Sequence, residues 1–118
     1  MKFTIKGTDM PLTKDLTMYI EKKMDALDKF AAHFGPSVAA QVEVGRTSRH
    51  HKSGDVFRVE VQMHVPGKEL RAEALGKTVL EAMDTVQDEI RRELERQKEK
   101  DVDAKKRGGA EIKKMLRG

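Results

Sequence analysis

The stretch 77-KTVLEAMDTVQDEIRRELERQKEK-100 decides the fold. Its twenty-four residues contain neither glycine nor proline. Val79, Met83, Val86, Ile90 and Leu94 recur once per helical turn, with Leu80 beside the first, which is the stripe of an amphipathic helix. At 1.5 Å per residue the helix spans roughly 36 Å, longer than the sheet of a small domain needs as cover. Its last two turns are therefore expected to project or to run along an edge. They are dense in charge: Arg91, Arg92, Arg96, Lys98 and Lys100 interleave with Glu89, Glu93, Glu95 and Glu99.

Upstream the period changes from 3.6 to two. Val38, Ala40, Val42 and Val44 face one way and Ala39, Gln41 and Glu43 the other. After a polar loop, residues 45–54, the set Phe57, Val59, Val61, Met63 and Val65 alternates with Arg58, Glu60, Gln62 and His64. Pro66-Gly67 marks a tight turn, and Leu70, Ala72 and Ala74 continue the alternation. Strands that alternate so regularly predict an antiparallel sheet with one face covered and one wet.

Phe3 and Ile5 form a short first strand that stops at Gly7. Pro11 and Thr13 then open a helix, with Thr13 as its cap and Asp15 at the positive end of its dipole. Leu16, Ile20, Met24, Leu27 and Phe34, flanked by Tyr19 and Phe30, give the helical period, and Gly35-Pro36 ends it. The order is β-α-β-β-β-α. With only one apolar sheet face, helices near 13–34 and 77–100 must cover the same side. The expected class is α+β, a two-layer sandwich with a four-stranded sheet and both helices on one face.

The chain has 118 residues, 37% hydrophobic and 37% charged, enough for one domain with a modest core. The domain is expected to occupy 1–100, and 101–118 to form a basic, flexible tail in which Ile112, Met115 and Leu116 make one short helix at most. There is no cysteine, hence no disulfide framework or thiolate site. No apolar run approaches the roughly 20 residues of a membrane span, and the N-terminus lacks the apolar core of a signal peptide. These features predict a cytoplasmic protein. Of the net charge of +4, the tail holds +3, six basic against three acidic residues, which leaves only +1 on the first hundred. Binding to a polyanion must then come from how charge is arranged.

Arg92, Arg96 and Lys100 stand at i, i+4 and i+8 as a basic ridge, with Lys98 beside them. Ion pairing within the helix is the plain alternative, as from Asp88 to Arg92. Four-residue spacing leaves Arg96 and Lys100 without an acidic partner. On the first helix Lys22, Lys23 and Lys29 share a side but alternate with acidic residues. The loop at 45–54 is a further candidate for phosphate through Arg46, Arg49 and Lys52, although hairpin loops are polar in any case. His50-His51 has no third ligand nearby in sequence and makes no metal site. No glycine-rich phosphate loop, nucleophile elbow or metal cluster occurs. The aspartates and glutamates all fall on faces expected to be exposed, so no catalytic residue, cofactor or small-molecule substrate is expected.

Two segments resemble the ribosome hibernation promoting factor family, also called ribosome-associated inhibitor A or protein Y, in its short form. The first runs from Ile5-Lys6-Gly7-Thr8-Asp9-Met10 and Leu12-Thr13 through Tyr19-Ile20-Glu21-Lys22-Lys23-Met24 to Leu27-Asp28-Lys29-Phe30. The second is Ala82-Met83-Asp84 followed by Asp88, Ile90, Arg92, Leu94, Arg96, Lys98 and Lys100. The chain departs from the family pattern at Thr78 and Leu80, and Glu89 and Glu95 replace usually basic positions. The resemblance implies a non-catalytic factor seated on the small ribosomal subunit, in the channel of mRNA and tRNA, with helix cations on rRNA phosphates. It implies inhibited initiation and preserved idle ribosomes. Long members add a C-terminal dimerisation domain, for which residues 101–118 are too short. A different class, a small protein-interaction module using the wet sheet face or the tail, is the other reading.

Overall fold

The computed structural model describes residues 1–47 and 56–116. The elements are β1 (Lys2–Thr8), α1 (Lys14–Asp25), α2 (Asp28–Ala31), a 3-10 turn (Ala32–Phe34), β2 (Ala39–Arg46), β3 (Phe57–Val65), β4 (Lys68–Gly76) and α3 (Val79–Leu116). One sheet, ordered β1-β2-β3-β4, carries the helices on one side, as the single apolar face requires.

The sheet is mixed rather than wholly antiparallel. β1 pairs parallel with β2, Ile5 opposite Val42, whereas β2–β3 and β3–β4 are antiparallel. The cause is the connection. The chain leaves β1 and returns through the helical segment, and such a crossover delivers the next strand in the same direction. Alternation reports which side chains are covered, and it does not report strand direction. Between β3 and β4, Val65 pairs with Lys68 across Pro66-Gly67, and Gly67 takes φ +81°, a left-handed conformation that suits glycine.

The expected helix over 13–34 is divided. The Thr13 hydroxyl accepts from the Leu16 amide at 3.2 Å and starts α1. At its end the Leu27 amide bonds the Met24 carbonyl at 2.9 Å, three residues back, so the turn tightens before α2. Leu27, Ala31 and Phe34 stay buried through this bend, which the apolar spacing alone does not reveal. Gly35 then stops the segment at φ +85°.

Helix α3 begins under Thr78, whose hydroxyl accepts from the Glu81 amide at 3.1 Å. Val79, Ala82, Met83, Val86, Ile90 and Leu94 lie buried against the sheet and against Ile20, Met24 and Leu27. The burial stops at Leu94, and among the described residues the last tie to the body is His33 Nε2 to Asp101 Oδ2 at 3.2 Å. The helix does not end at Lys100, where the stripe gives out. It continues to Leu116, and the molecule measures 66 × 29 × 17 Å. The reason is local: residues 95–107 are mostly Glu, Arg, Gln, Lys and Ala, strong helix formers that continue a helix without packing.

Candidate nucleic-acid interface

The outer seam between α1–α2 and α3 brings two of the candidate cations, Lys23 and Lys29, to the side of α3. Lys23 Nζ lies 3.0 Å from Asp84 Oδ1 and 5.4 Å from the centre of the Tyr19 ring, while the Tyr19 hydroxyl donates to the same carboxylate oxygen. Gln87 donates to the Lys23 carbonyl at 2.9 Å and ties the two helices together. These contacts lower the Asp84 pKa, first through the Tyr19 hydrogen bond and then through Lys23. The Lys23 ammonium is raised chiefly by its bond to Asp84. Tyr19 is raised by burial, with Asp84 adding to the effect. All three shifts follow from one compact ammonium–carboxylate–phenol cluster.

One turn on, Asp88 holds two arginines at once. Its Oδ1 is 2.7 Å from Arg91 Nη2 and its Oδ2 is 2.7 Å from Arg92 Nη2. The Arg91 bond holds the Asp88 carboxyl below its ordinary range and raises Arg91. Arg91 also reaches Glu95 at 3.2 Å and lies 5.9 Å from the Phe30 ring, which Lys29 approaches to 5.2 Å. Arg91 was no candidate in the sequence reading, although Asp88 three residues before it was a legible partner. What sequence cannot display is Phe30 arriving from α2.

Arg96 is paired, contrary to the four-residue argument: its Nη1 is 2.7 Å from Glu93 Oε1, three positions back. Lys22, Lys98 and Lys100 are exposed and make no ion pair among the described residues. The surface thus combines oriented guanidinium groups at Arg91, Arg92 and Arg96 with loose ammonium groups around them. Glu95 organises Arg91 as a local partner, while Glu89 makes no such pair among the described residues. Exposed pairs of this kind are weak, about 0–1 kcal/mol. A phosphate can therefore replace the carboxylate at low cost.

The loop candidates are only partly placed. Arg46 ends β2 with its guanidinium 5.7 Å from the Phe57 ring; Arg49 and Lys52 lie outside the described residues. The register puts Arg46 opposite Phe57, which faces Gly76 just before α3. The ridge instead runs toward His33, before β2. Arg46 itself and the ridge therefore occupy opposite ends of the domain.

The open sheet face corrects the expectation that every carboxylate is exposed. Glu60 is buried, 7% exposed, where Arg58 (2.6 Å), Arg71 (2.7 Å) and Gln62 (3.0 Å) converge on it. Arg58 also binds Glu73 at 2.7 and 3.2 Å. That bond lowers the Glu73 carboxyl and raises Arg58. Lys6, Glu43, Glu60 and Glu73 stand in one cross-strand row, with Arg58 and Arg71 in the rows beside it. Arginines here are spent on glutamates, so the face offers little free positive charge. Among the described residues no group of three side chains has the makings of a metal site.

The sequence model of the family described as sigma 54 modulation protein / S30EA ribosomal protein matches residues 3–102, which take in the sheet, the helical layer and the ridge. The chain belongs to this family. It is 28% identical over 105 residues to a ribosome hibernation promotion factor of Picosynechococcus, covering 89% of this chain and 53% of that protein. The corresponding factor of Deinococcus radiodurans is 26% identical over 110 residues, 92% of this chain and 55% of the relative. The chain thus spans about half the length of these two curated relatives. A ribosome hibernation promoting factor of Azotobacter vinelandii is 28% identical over 103 residues, with 87% of this chain and 88% of that one aligned. In fold, the chain is similar to the Thermus thermophilus protein Y N-terminal domain, with a TM-score of 0.64 at 23% identity over 80% of this chain and 93% of that one. It is also similar to a ribosomal subunit interface protein of Coxiella burnetii, with a TM-score of 0.62 at 15% identity, covering 83% and 98%. Among the described residues no helix is long and apolar enough to cross a membrane.

Proposed function

We propose that the chain is a ribosome-associated translation inhibitor of the cytoplasm, a hibernation factor that occupies the mRNA and tRNA channel of the small subunit and preserves idle ribosomes. The observation that carries this reading is the family match over residues 3–102, because the matched segment includes the helical seam with its basic ridge. The names of the curated relatives point the same way. In this reading Lys22, Lys23, Lys29, Arg91, Arg92, Arg96, Lys98 and Lys100 face rRNA phosphates, and the protein recognises backbone and shape rather than base sequence. Asp84 and Asp88 aim the lysine and arginine groups before contact, and the loose lysines add charge without geometry. Occupancy of the channel excludes the ligands of initiation, so no catalytic step is required.

The test is co-sedimentation with purified small subunits across a range of salt, paired with cell-free translation. Binding should weaken steeply with salt, because each phosphate contact releases counterions. Arg96→Ala should reduce affinity and flatten the log–log salt slope by about 0.7–0.9, with the fold unchanged. If the protein in excess neither pellets with subunits at low salt nor slows translation, the functional reading fails. If Arg96→Ala leaves affinity and slope unchanged, the assignment of Arg96 to the interface fails.

A further inference from the structure

The cations of this surface are held in two different ways. Carboxylates hold Lys23, Arg91, Arg92 and Arg96, through Asp84, Asp88 and Glu93. A phosphate oxygen competes with a carboxylate for the same N–H groups, so these partners are given up or shared when nucleic acid arrives. Lys29 has no carboxylate partner among the described residues. Its ammonium lies 5.2 Å from the centre of the Phe30 ring, and the Arg91 guanidinium carbon lies 5.9 Å from the same centre. Both are within reach of a cation–π contact. Two like charges thus gather on one ring, no further apart than those two distances together.

Phe30 is itself fixed. Its amide and that of Ala31 each donate to the Leu27 carbonyl at 3.0 Å, just past the tightened turn that ends α1. Leu27 and Ala31 are buried, and Phe30 is half-buried against the core. The ring therefore takes part in the packing of α2 while carrying two cations toward solvent. Tyr19, 5.4 Å from the Lys23 ammonium, has no such independence, because its hydroxyl donates to the same Asp84 oxygen that holds the lysine.

We propose that Phe30 is a positioning residue of the interface, whose ring seats Lys29 and Arg91 as a pair for RNA phosphates and keeps holding them once the carboxylates are displaced. The proposal rests on the reading that this seam faces RNA. An aromatic face attracts a cation but offers no acceptor for a phosphate to replace. Ring and phosphate can then hold one side chain from two sides, which preserves the geometry through binding.

The test measures binding at low salt to a labelled RNA duplex of arbitrary sequence and, in parallel, to purified small ribosomal subunits. The duplex decides the role of Phe30, and the subunits decide the ribosomal reading. Phe30→Leu and Phe30→Met both remove the ring while keeping apolar bulk and charge, and circular dichroism melts identify the one that folds as the wild type does. An exposed cation–π contact corresponds to about two- to fivefold in an equilibrium constant, so loss of both should weaken duplex binding by about three- to tenfold. The salt slope should stay that of the wild type, since no cation is lost. Phe30→Tyr keeps the ring and should recover the affinity. In a Lys29→Ala, Arg91→Ala background, removing the ring should cost nothing further, whereas a residue that only supports the fold would cost as much there as before. A loss that persists in that background overturns the proposal. So does a folded ringless variant that binds the duplex as tightly as the wild type, a tyrosine that restores nothing, or a wild-type protein that ignores the duplex. Ring-dependent binding to the duplex without binding to subunits supports the role of Phe30 and removes the ribosomal reading.

Discussion

Removing Arg58 should destabilise the protein more than removing the glutamate it holds. Glu60 has a side chain only 9% accessible and relies on Arg58 at 2.6 Å and Arg71 at 2.7 Å. In Glu60→Ala, Arg58 keeps its two bonds to Glu73, and Arg71, 61% exposed, returns to water. No buried charge is stranded, so the loss is that of charge-assisted hydrogen bonds with partly rehydrated partners, about 1–2 kcal/mol. In Arg58→Ala, the Glu60 carboxylate stays enclosed with only Arg71 and Gln62 as partners. Full burial of a broken pair costs about 3–5 kcal/mol; with Arg71 still in place, about 2–3 kcal/mol is expected. The gap of about 1 kcal/mol corresponds to about 4–8 °C in Tm for a domain near this size. The double variant should be no less stable than Arg58→Ala alone, since it removes the stranded carboxylate as well. Urea titrations and thermal melts followed by far-UV circular dichroism, run on all four proteins, measure the cycle. If Glu60→Ala proves as costly as Arg58→Ala, or the two effects simply add, the network does not partition its charge as described.

Ile90→Asp places a carboxylate at a fully buried position of α3. It should cost about 4 kcal/mol or more, a large part of a typical domain's stability of about 5–15 kcal/mol. Loss of a cooperative melt and of NMR dispersion would report it. Acid should weaken the fold through Asp84 and Glu73, whose carboxyls are lowered by Tyr19 and Lys23 and by Arg58. In the acid range the unfolded chain binds more protons than the native one. The stabilisation is therefore complete above the ordinary carboxylate pKa of about 4 and is lost as pH falls through the lowered native values. Urea midpoints measured down the acid limb should show this decline, and Asp84→Asn should make it shallower; an unchanged slope in that variant would remove Asp84 from the account.

The sequence by itself determined the two layers, the element order and nearly the whole core. A period of two or 3.6 in side-chain polarity is a direct record of which face is covered, and Val59, Val61 and Met63 or Met83, Ile90 and Leu94 carry it without reference to anything distant. The family resemblance was legible for the same reason, in short segments such as Lys22-Lys23-Met24 and Ala82-Met83-Asp84. Features that depend on contacts between remote residues were not legible. The parallel pairing of β1 with β2 follows from the crossover geometry, which leaves no mark on either strand's alternation. Burial of Glu60 requires Arg58 and Arg71 on adjoining strands, and the Arg91–Phe30 contact requires α2 to arrive beside α3. The end of α3 differs in kind: the apolar stripe marks where packing stops at Leu94, whereas the helix formers of residues 95–107 carry the backbone on beyond it. Short-range patterning fixes which surfaces are covered; only the tertiary structure decides which charged groups meet, because those meetings bring together residues as far apart as His33 and Asp101.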